Sequence, residues 1–402
     1  MIILKNNTMK DRIIIGLFGA EVFNGNMGCL ALTYSLISIL NRQCQNKRIE
    51  YYCFVRNRHG EKDKFCSLNK MDKSSVHIIS CMDLKKKDLF LRDIYFKRAI
   101  KRCDLVIDLT QGDSFTDIYG NERFDMWTTE KEWVLKNNIP LILGPQTYGP
   151  FIHKENEKRA LDVIKKCKLV FARDEMSYQY IKESDYNLEG LYKTCDLAFA
   201  LPYDKCNLKQ KDRKKIGINI SGLLWTDGAE DTEKSFTLKT DYQLYMERIL
   251  DYFIEKKELE IYLISHVSAD YKVAKYIKEK YPTVNIVDEF DNPIKAKSFI
   301  ADCDLFIGAR MHATIAAIST GVPVIPIAYS RKFTGLFKTL DYPFVVDLNK
   351  YKTNEAVEQT IKYIENVEQM VDILPHSMKK ANELLSVFEV EMKNLLNNEV
   401  VK

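Results

Sequence analysis

Residues 304–314 read Asp304-Leu305-Phe306-Ile307-Gly308-Ala309-Arg310-Met311-His312-Ala313-Thr314, a strand-forming run that stops at a glycine and is followed by an arginine and a histidine. In an open parallel sheet, ligands bind beyond the carboxyl ends of the strands, so Arg310 and His312 stand where chemistry is expected. Arginine offers a planar, permanently charged fork for carboxylate or phosphate. A histidine two residues later can move a proton near neutral pH. The pair suits an anionic substrate.

Other segments carry similar groups. In the second half, Ser221 and Gly222 follow one apolar run, and His266 follows the next, where a crevice residue belongs. In the first half, a glycine cluster from Gly16 to Gly28 leads into a helical pattern. Its Asn26 and Gly28 either let backbone approach a ligand or form a plain turn. The run Asp108-Leu109-Thr110-Gln111-Gly112-Asp113-Ser114-Phe115-Thr116-Asp117 follows another strand pattern. Asp113 there is a candidate general base and Asp117 a candidate contact for acceptor hydroxyls, with helix capping as the alternative for either. Gln146 lies in a Gly-Pro-rich loop suited to sugar recognition, and Arg173 stands at a further strand end, for a ligand or for an ion pair with Asp174 or Glu175.

These groups need a scaffold, and the apolar periodicity supplies one. Strand runs are expected at 13–18, 51–55, 105–109, 141–143, 169–172 and 197–201, most separated by amphipathic helical stretches, with a helix over 27–40. A second series follows at 216–220, 261–264, 284–287, 305–307, 322–327 and 344–346. Strands alternating with helices predict an α/β fold of two doubly wound, Rossmann-like domains with mostly parallel sheets. The charged stretch 202–215 has little to bury and is expected to link domain 1–201 to domain 216–374. A terminal amphipathic helix over 375–402 is expected to pack back. No repeat of short period is visible, and the halves look similar in type rather than in sequence.

Composition narrows the function classes. A net charge of +4 is small against 60 basic and 56 acidic side chains, so nucleic acid is not an expected partner. The ten cysteines include no Cys-x-x-Cys pair and read as reduced thiols, not as a disulfide framework or a zinc site. The first residues are too short an apolar run for a secretory signal, and 313–329 contains Gly321, Pro323 and Pro326, so a cytoplasmic enzyme is expected. Segment 85–102, with eight basic and two acidic residues among apolar ones, reads as a solvated helix face or as a peripheral contact with an anionic inner membrane surface.

Taken in order, five motifs resemble the polysaccharide pyruvyl transferase family: Asn24-Gly25-Asn26-Met27-Gly28, Gln111-Gly112-Asp113-Ser114-Phe115-Thr116-Asp117, Gly144-Pro145-Gln146, Phe171-Ala172-Arg173-Asp174-Glu175 and Ile307-Gly308-Ala309-Arg310-Met311-His312-Ala313. The resemblance implies a GT-B-like fold, two domains facing each other across a cleft that holds the active site. It implies that phosphoenolpyruvate donates its three-carbon unit to two hydroxyls of one sugar, giving a pyruvate ketal and releasing phosphate. Arg310 and His312 would meet the donor, with Arg173 a second cationic contact, and the acceptor would be a saccharide, free, nucleotide-linked or lipid-linked. No cofactor or metal is expected beyond phosphoenolpyruvate as donor substrate. His312 is the candidate acid, His266 its understudy, and Asp113 a group to deprotonate the acceptor. Two departures stand out: Cys29 where many relatives carry an acidic residue, and Gln111 in place of a glycine.

The main rival is a nucleotide-sugar glycosyltransferase of the same architecture. It is weakened because no glutamate occurs between Glu289 and Glu355 to hold a ribose. A nicotinamide enzyme lacks its glycine fingerprint here. A catalytically silent carbohydrate-binding protein is disfavoured by Arg310 and His312.

Overall fold

The computed structural model describes residues 12–23, 25–55, 62–80, 89–184, 188–204, 214–225 and 238–397. Strands β1 (Arg12–Phe18), β2 (Arg48–Val55), β3 (Val76–Ser80), β4 (Leu105–Asp108), β5 (Leu141–Gln146), β6 (Leu169–Ala172) and β7 (Leu191–Lys193) form one sheet in the order β3-β2-β1-β4-β5-β6-β7. Strands β8 (Lys214–Asn219), β9 (Leu259–Leu263), β10 (Asn285–Ile286), β11 (Leu305–Gly308), β12 (Val324–Ala328) and β13 (Val346–Asp347) form a second, β10-β9-β8-β11-β12-β13. All their pairings are parallel.

Central strands β4, β5, β6, β11 and β12 are buried along their whole length. Helices cover parallel sheets on both faces, which is why these strands read as continuous apolar runs. In each sheet the strand order reverses once, between β1 and β4 and between β8 and β11. Those reversals are the topological switch points at which open α/β sheets bind ligands.

The two sheets start with the same local device. In the first, the Asp104 amide donates to the Ile14 carbonyl at 2.8 Å, and its carboxylate accepts from the Ile14 amide at 2.9 Å. In the second, Asp304 makes the same pair with Lys215, at 2.8 and 2.7 Å. Each aspartate follows a cysteine that fills the space above a glycine: a Cβ on Gly16 would meet Cys103 Sγ at 3.0 Å, and one on Gly217 would meet Cys303 Sγ at 2.9 Å. The sequences are Cys103-Asp104-Leu105-Val106-Ile107 and Cys303-Asp304-Leu305-Phe306-Ile307. The halves therefore share sequence here as well as type, which corrects the expectation of likeness in type alone.

Three further differences from the expected elements have local causes. Segment 197–201 forms a 3-10 helix, Leu197–Ala200, in place of a strand; the buried Lys297 ammonium lies 3.5 and 3.3 Å from the carbonyls of Ala198 and Phe199, which a ladder would need. Strands β3 and β7 escaped the apolar pattern because each is a short sheet edge, only partly buried. The terminal helix runs Val367–Asn397, so Pro375 lies inside it instead of opening it.

Two compact units are formed: one from the described residues within Met1–Phe23, Leu32–Asp196 and Ser386–Lys402, the other from those within Asn24–Ala31 and Leu197–Leu385. The turn that precedes helix Met27–Gln43 thus clusters with the second sheet, although it comes early in the chain. The last turns of helix Val367–Asn397 belong with the first unit. There Phe388 meets Phe171 edge-on at 4.9 Å, and Lys47 donates to the Leu396 carbonyl at 3.0 Å. Most of the expected linker, 205–213, lies outside the described residues, and Lys214 and Lys215 already belong to β8.

Candidate functional site

In the second unit, the carboxyl ends of β8, β9 and β11 bring together residues far apart in sequence. Their hub is Asp270, 1% exposed, in the first turn of helix Ser268–Lys280. Arg310 reaches it with Nε, 3.2 Å from both oxygens, and with Nη2 at 2.7 Å. Asp270 also accepts from the amides of Gly222 (2.9 Å) and His266 (3.3 Å) and from Asn219 Nδ2 (3.3 Å). Asn219 in turn accepts from the Arg310 amide at 3.0 Å, so both ends of the arginine are fixed. Burial works against the Arg310 charge, but the Asp270 carboxylate outweighs it and holds the guanidinium protonated more firmly than in water.

Around this pair lie buried polar atoms with no hydrogen-bond partner among the described residues: Ser221 Oγ after β8, and Ser265 Oγ and His266 Nδ1 after β9. These three atoms fall at the topological switch point, where open α/β sheets bind ligands. Burial is the largest influence on His266 and lowers its pKa to about 4, despite the opposing pull of Asp270. Its imidazole is neutral near pH 7.

The turn before helix Met27–Gln43 completes this cluster. The Met27 amide donates to the His266 carbonyl at 3.0 Å. A Cβ on Gly28 would lie 2.3 Å from His312 Nδ1 and 2.9 Å from Cγ, so glycine is what lets the ring occupy its place. Asn26 Oδ1 accepts from the amides of Gly28 and Cys29, at 2.9 and 3.4 Å, and so caps the helix. Asn26 and Gly28, expected as ligand contacts, thus serve the helix start and the His312 ring. Gly222 is similar: its amide belongs to Asp270, and a Cβ there would collide with the Ala269 carbonyl at 2.5 Å.

In the first unit, the loop after β4 takes an unusual path, with Thr110, Gln111 and Gly112 at φ 41°, 54° and 91°. Gln111 holds the left-handed conformation, rare for a residue with a side chain, and that side chain bridges Glu21 (2.7 Å) and Arg123 (2.6 Å). Gly112 leaves room for Arg173, whose Nη1 would be 2.8 Å from a Cβ there. Arg173 is 4% exposed, pairs through Nη1 with Asp196 at 2.7 Å, and donates from Nε to Thr147 at 2.9 Å. The internal ion pair is therefore realised, with Asp196 as the partner in place of Asp174 or Glu175.

The acidic residues of that loop divide. Asp117 accepts from the amides of Ile152 (2.6 Å) and His153 (2.9 Å) and from Asn156 (3.0 Å). Burial raises its pKa, yet these donors win and the net direction is down. Both its oxygens are taken by the segment that opens helix Lys154–Ile164, so capping displaces the expected hydroxyl contact. Asp113 is half-buried and takes a 3.2 Å hydrogen bond from Tyr119. Gln146 is fully buried and donates to the Asp108 carbonyl at 3.1 Å, within the sheet rather than on a sugar-binding surface. Asp108 itself pairs with Lys131 at 3.0 Å, both side chains fully buried.

Sequence reasoning missed Asp270 and Asn219 as parts of the site. The available signal was the spacing of Asp270, four residues after His266 and in the first turn of a helix, where an acid is easily read as a cap.

Comparisons with known proteins bear on the family and the fold. A family model described as "Polysaccharide pyruvyl transferase" matches residues 26–331. Amylovoran biosynthesis protein AmsJ of Erwinia amylovora is 20% identical over 291 residues, covering 68% of this chain and 69% of AmsJ. Among solved structures, UDP-GlcNAc 2-epimerase from Neisseria meningitidis, bound to UDP-GlcNAc, gives a TM-score of 0.60 at 14% identity over 96% of this chain and 100% of that one. The S. aureus MnaA co-structure with UDP gives 0.59 at 14% identity, over 98% of each. At such identities the likeness shows the fold alone, and that fold is the expected GT-B-like one of two parallel α/β sheets.

Proposed function

Because the chain belongs to the polysaccharide pyruvyl transferase family, we propose that it moves the pyruvyl unit of phosphoenolpyruvate onto two hydroxyls of one sugar in a cell-surface polysaccharide precursor, releasing phosphate. The observation that carries this reading is the fixed Arg310 guanidinium beside three buried polar atoms that have no partner among the described residues, at the switch point of the second sheet. Phosphoenolpyruvate has a carboxylate and a phosphate to satisfy such donors, and charge-assisted hydrogen bonds are among the stronger polar contacts.

In this reading Arg310 binds the donor and His312 delivers a proton to its methylene carbon, leaving the adjacent carbon cationic. One sugar hydroxyl adds there, phosphate departs, and the second hydroxyl closes the ketal. His266, neutral by burial, is a hydrogen-bonding group for the donor and not its proton source. Asp113 is the carboxylate assigned to the acceptor hydroxyl. Arg173, held by Asp196 and Thr147, is left out of the donor set. AmsJ, named for amylovoran biosynthesis, supports an exopolysaccharide setting.

Among the described residues no helix is long and apolar enough to cross a membrane. We place the reaction in the cytoplasm, with peripheral contact to the inner membrane if the acceptor is lipid-linked. The basic segment that would make this contact is described only in part: 85–88 lie outside the described residues, and helix Leu89–Ile100 follows.

The test is a thermal-shift titration with phosphoenolpyruvate, UDP-sugars, GDP-sugars and NAD, on wild type and Arg310→Ala. A ligand that binds only the folded state raises stability with the logarithm of its saturation. Stabilisation by phosphoenolpyruvate, lost in the variant, is the expected result. Stabilisation by a nucleotide sugar alone would overturn the reading in favour of glycosyl transfer.

A further inference from the structure

We infer that Asp270 is a positioning residue of the donor site: it locks the Arg310 fork so that only the outer Nη edge meets the donor, and it offsets part of the arginine's charge. The inference rests on the pyruvyl-transfer reading for the identity of the donor. Its geometry stands on its own.

A free arginine can present two edges to an oxyanion: the side made by Nε and Nη2, and the end made by Nη1 and Nη2. Here the side edge is consumed by Asp270, through three contacts of 2.7–3.2 Å. Among the described residues Nη1 has no acceptor, while the Arg310 side chain remains 19% exposed. A ligand must therefore approach end-on. Asp270 can hold this pose because it is itself immobilised by Gly222, His266 and Asn219, which tie it to the ends of β8 and β9. Asn219 closes the loop by accepting from the Arg310 amide. The donor's cation is thus built into a ring of hydrogen bonds across adjacent strands, with one edge left over.

The arrangement has an electrostatic consequence. A carboxylate against the guanidinium lowers the positive potential that the multiply charged donor meets, so orientation is gained at the expense of affinity. Removing that charge without removing the side chain should reverse the exchange. Asp270→Asn keeps the shape and an acceptor oxygen for the surrounding amides. Asp270→Glu keeps the charge but shifts the carboxylate by one methylene.

The experiment uses the full chain and phosphoenolpyruvate as probe. Affinity is read by calorimetry, folding by circular dichroism, and the fork by the exchange-protected Nε–H resonance of Arg310, assigned by its loss in Arg310→Lys. In Asp270→Asn we expect the protected resonance to disappear and phosphoenolpyruvate to bind about tenfold tighter, the effect of removing one nearby charge at an effective dielectric well above that of a dry interior. In Asp270→Glu we expect a shifted resonance and several-fold weaker binding. A folded Asp270→Asn that keeps the resonance, or binds with unchanged or weaker affinity, overturns the inference. If Asp270→Asn does not fold, Asp270→Glu decides: wild-type values in both readouts overturn it. Absence of phosphoenolpyruvate binding in wild type would sink the pyruvyl reading instead, and the resonance in the two variants would then decide the positioning role by itself.

Discussion

Gly28 and His312 occupy adjoining space so closely that a single methyl group on Gly28 would lie 2.3 Å from the imidazole Nδ1. An early glycine thus determines where a late histidine sits. Gly28→Ala should displace the ring or the turn. Overpacking of this kind lowers stability by about 1–3 kcal/mol, measurable by urea denaturation. Misplacing the proposed acid should cut turnover by about 100-fold, read as phosphate release. Turnover that survived a displaced His312 would remove this residue from the chemistry.

Arg310→Lys keeps a positive charge but loses the planar fork that spans Asp270. Phosphoenolpyruvate should bind about tenfold more weakly, as lysine is not conservative at a bidentate site. Arg310→Ala goes further and leaves Asp270 buried without its counter-ion, which should lower stability by about 3–5 kcal/mol in calorimetry. A variant as stable as wild type would show that the pair is not coupled as the geometry indicates.

His266 makes stability depend on pH. Its pKa is lowered to about 4 in the folded protein, from the ordinary 6.5. Between these values the unfolded chain binds the proton and the folded one does not. Stability is therefore complete above pH 6.5 and lost as pH falls toward 4, a total of about 3 kcal/mol from this group. Denaturation curves at pH 7 and pH 4.5 should show the loss in wild type and much less of it in His266→Gln. Equal losses in both would assign the acid sensitivity elsewhere.

Lys131→Met should be among the most damaging changes in the first unit. Lysine and Asp108 are both fully buried, 3.0 Å apart, and removing one partner strands the other. The expected loss is about 3–5 kcal/mol. The double variant Asp108→Asn with Lys131→Met should recover part of it, and a double variant no better than the single would contradict the coupling.

Much of this architecture was legible in the sequence because parallel strands buried on both faces announce themselves as uninterrupted apolar runs, as Leu105 to Ile107 and Leu305 to Ile307 do. The place of Arg310 and His312 just beyond β11 was legible for the same reason, because the apolar run fixes where the strand ends. What stayed hidden depends on contacts between distant segments. Nothing local distinguishes Asp270, which grips an arginine, from Asp117, which caps a helix. Gly28 reads as a ligand-cradling glycine until the His312 ring is seen beside it. Segment 197–201 has the composition of a strand, and only the buried Lys297 against its carbonyls tells otherwise. The matching segments 103–107 and 303–307 escaped notice because their neighbours differ, and a five-residue likeness means little before both copies are seen gripping a strand in the same way.

Those two copies amount to a matched pair of samples for one question in physical chemistry. Asp104 is buried, at 6% exposure, whereas Asp304 is open to water, yet each carboxylate accepts from the backbone amide of a neighbouring strand at nearly the same distance. Asp104→Ala and Asp304→Ala therefore delete one kind of hydrogen bond from one kind of strand pair at two levels of hydration. The buried deletion should be the more damaging, since water can replace the lost acceptor at position 304 but not at 104.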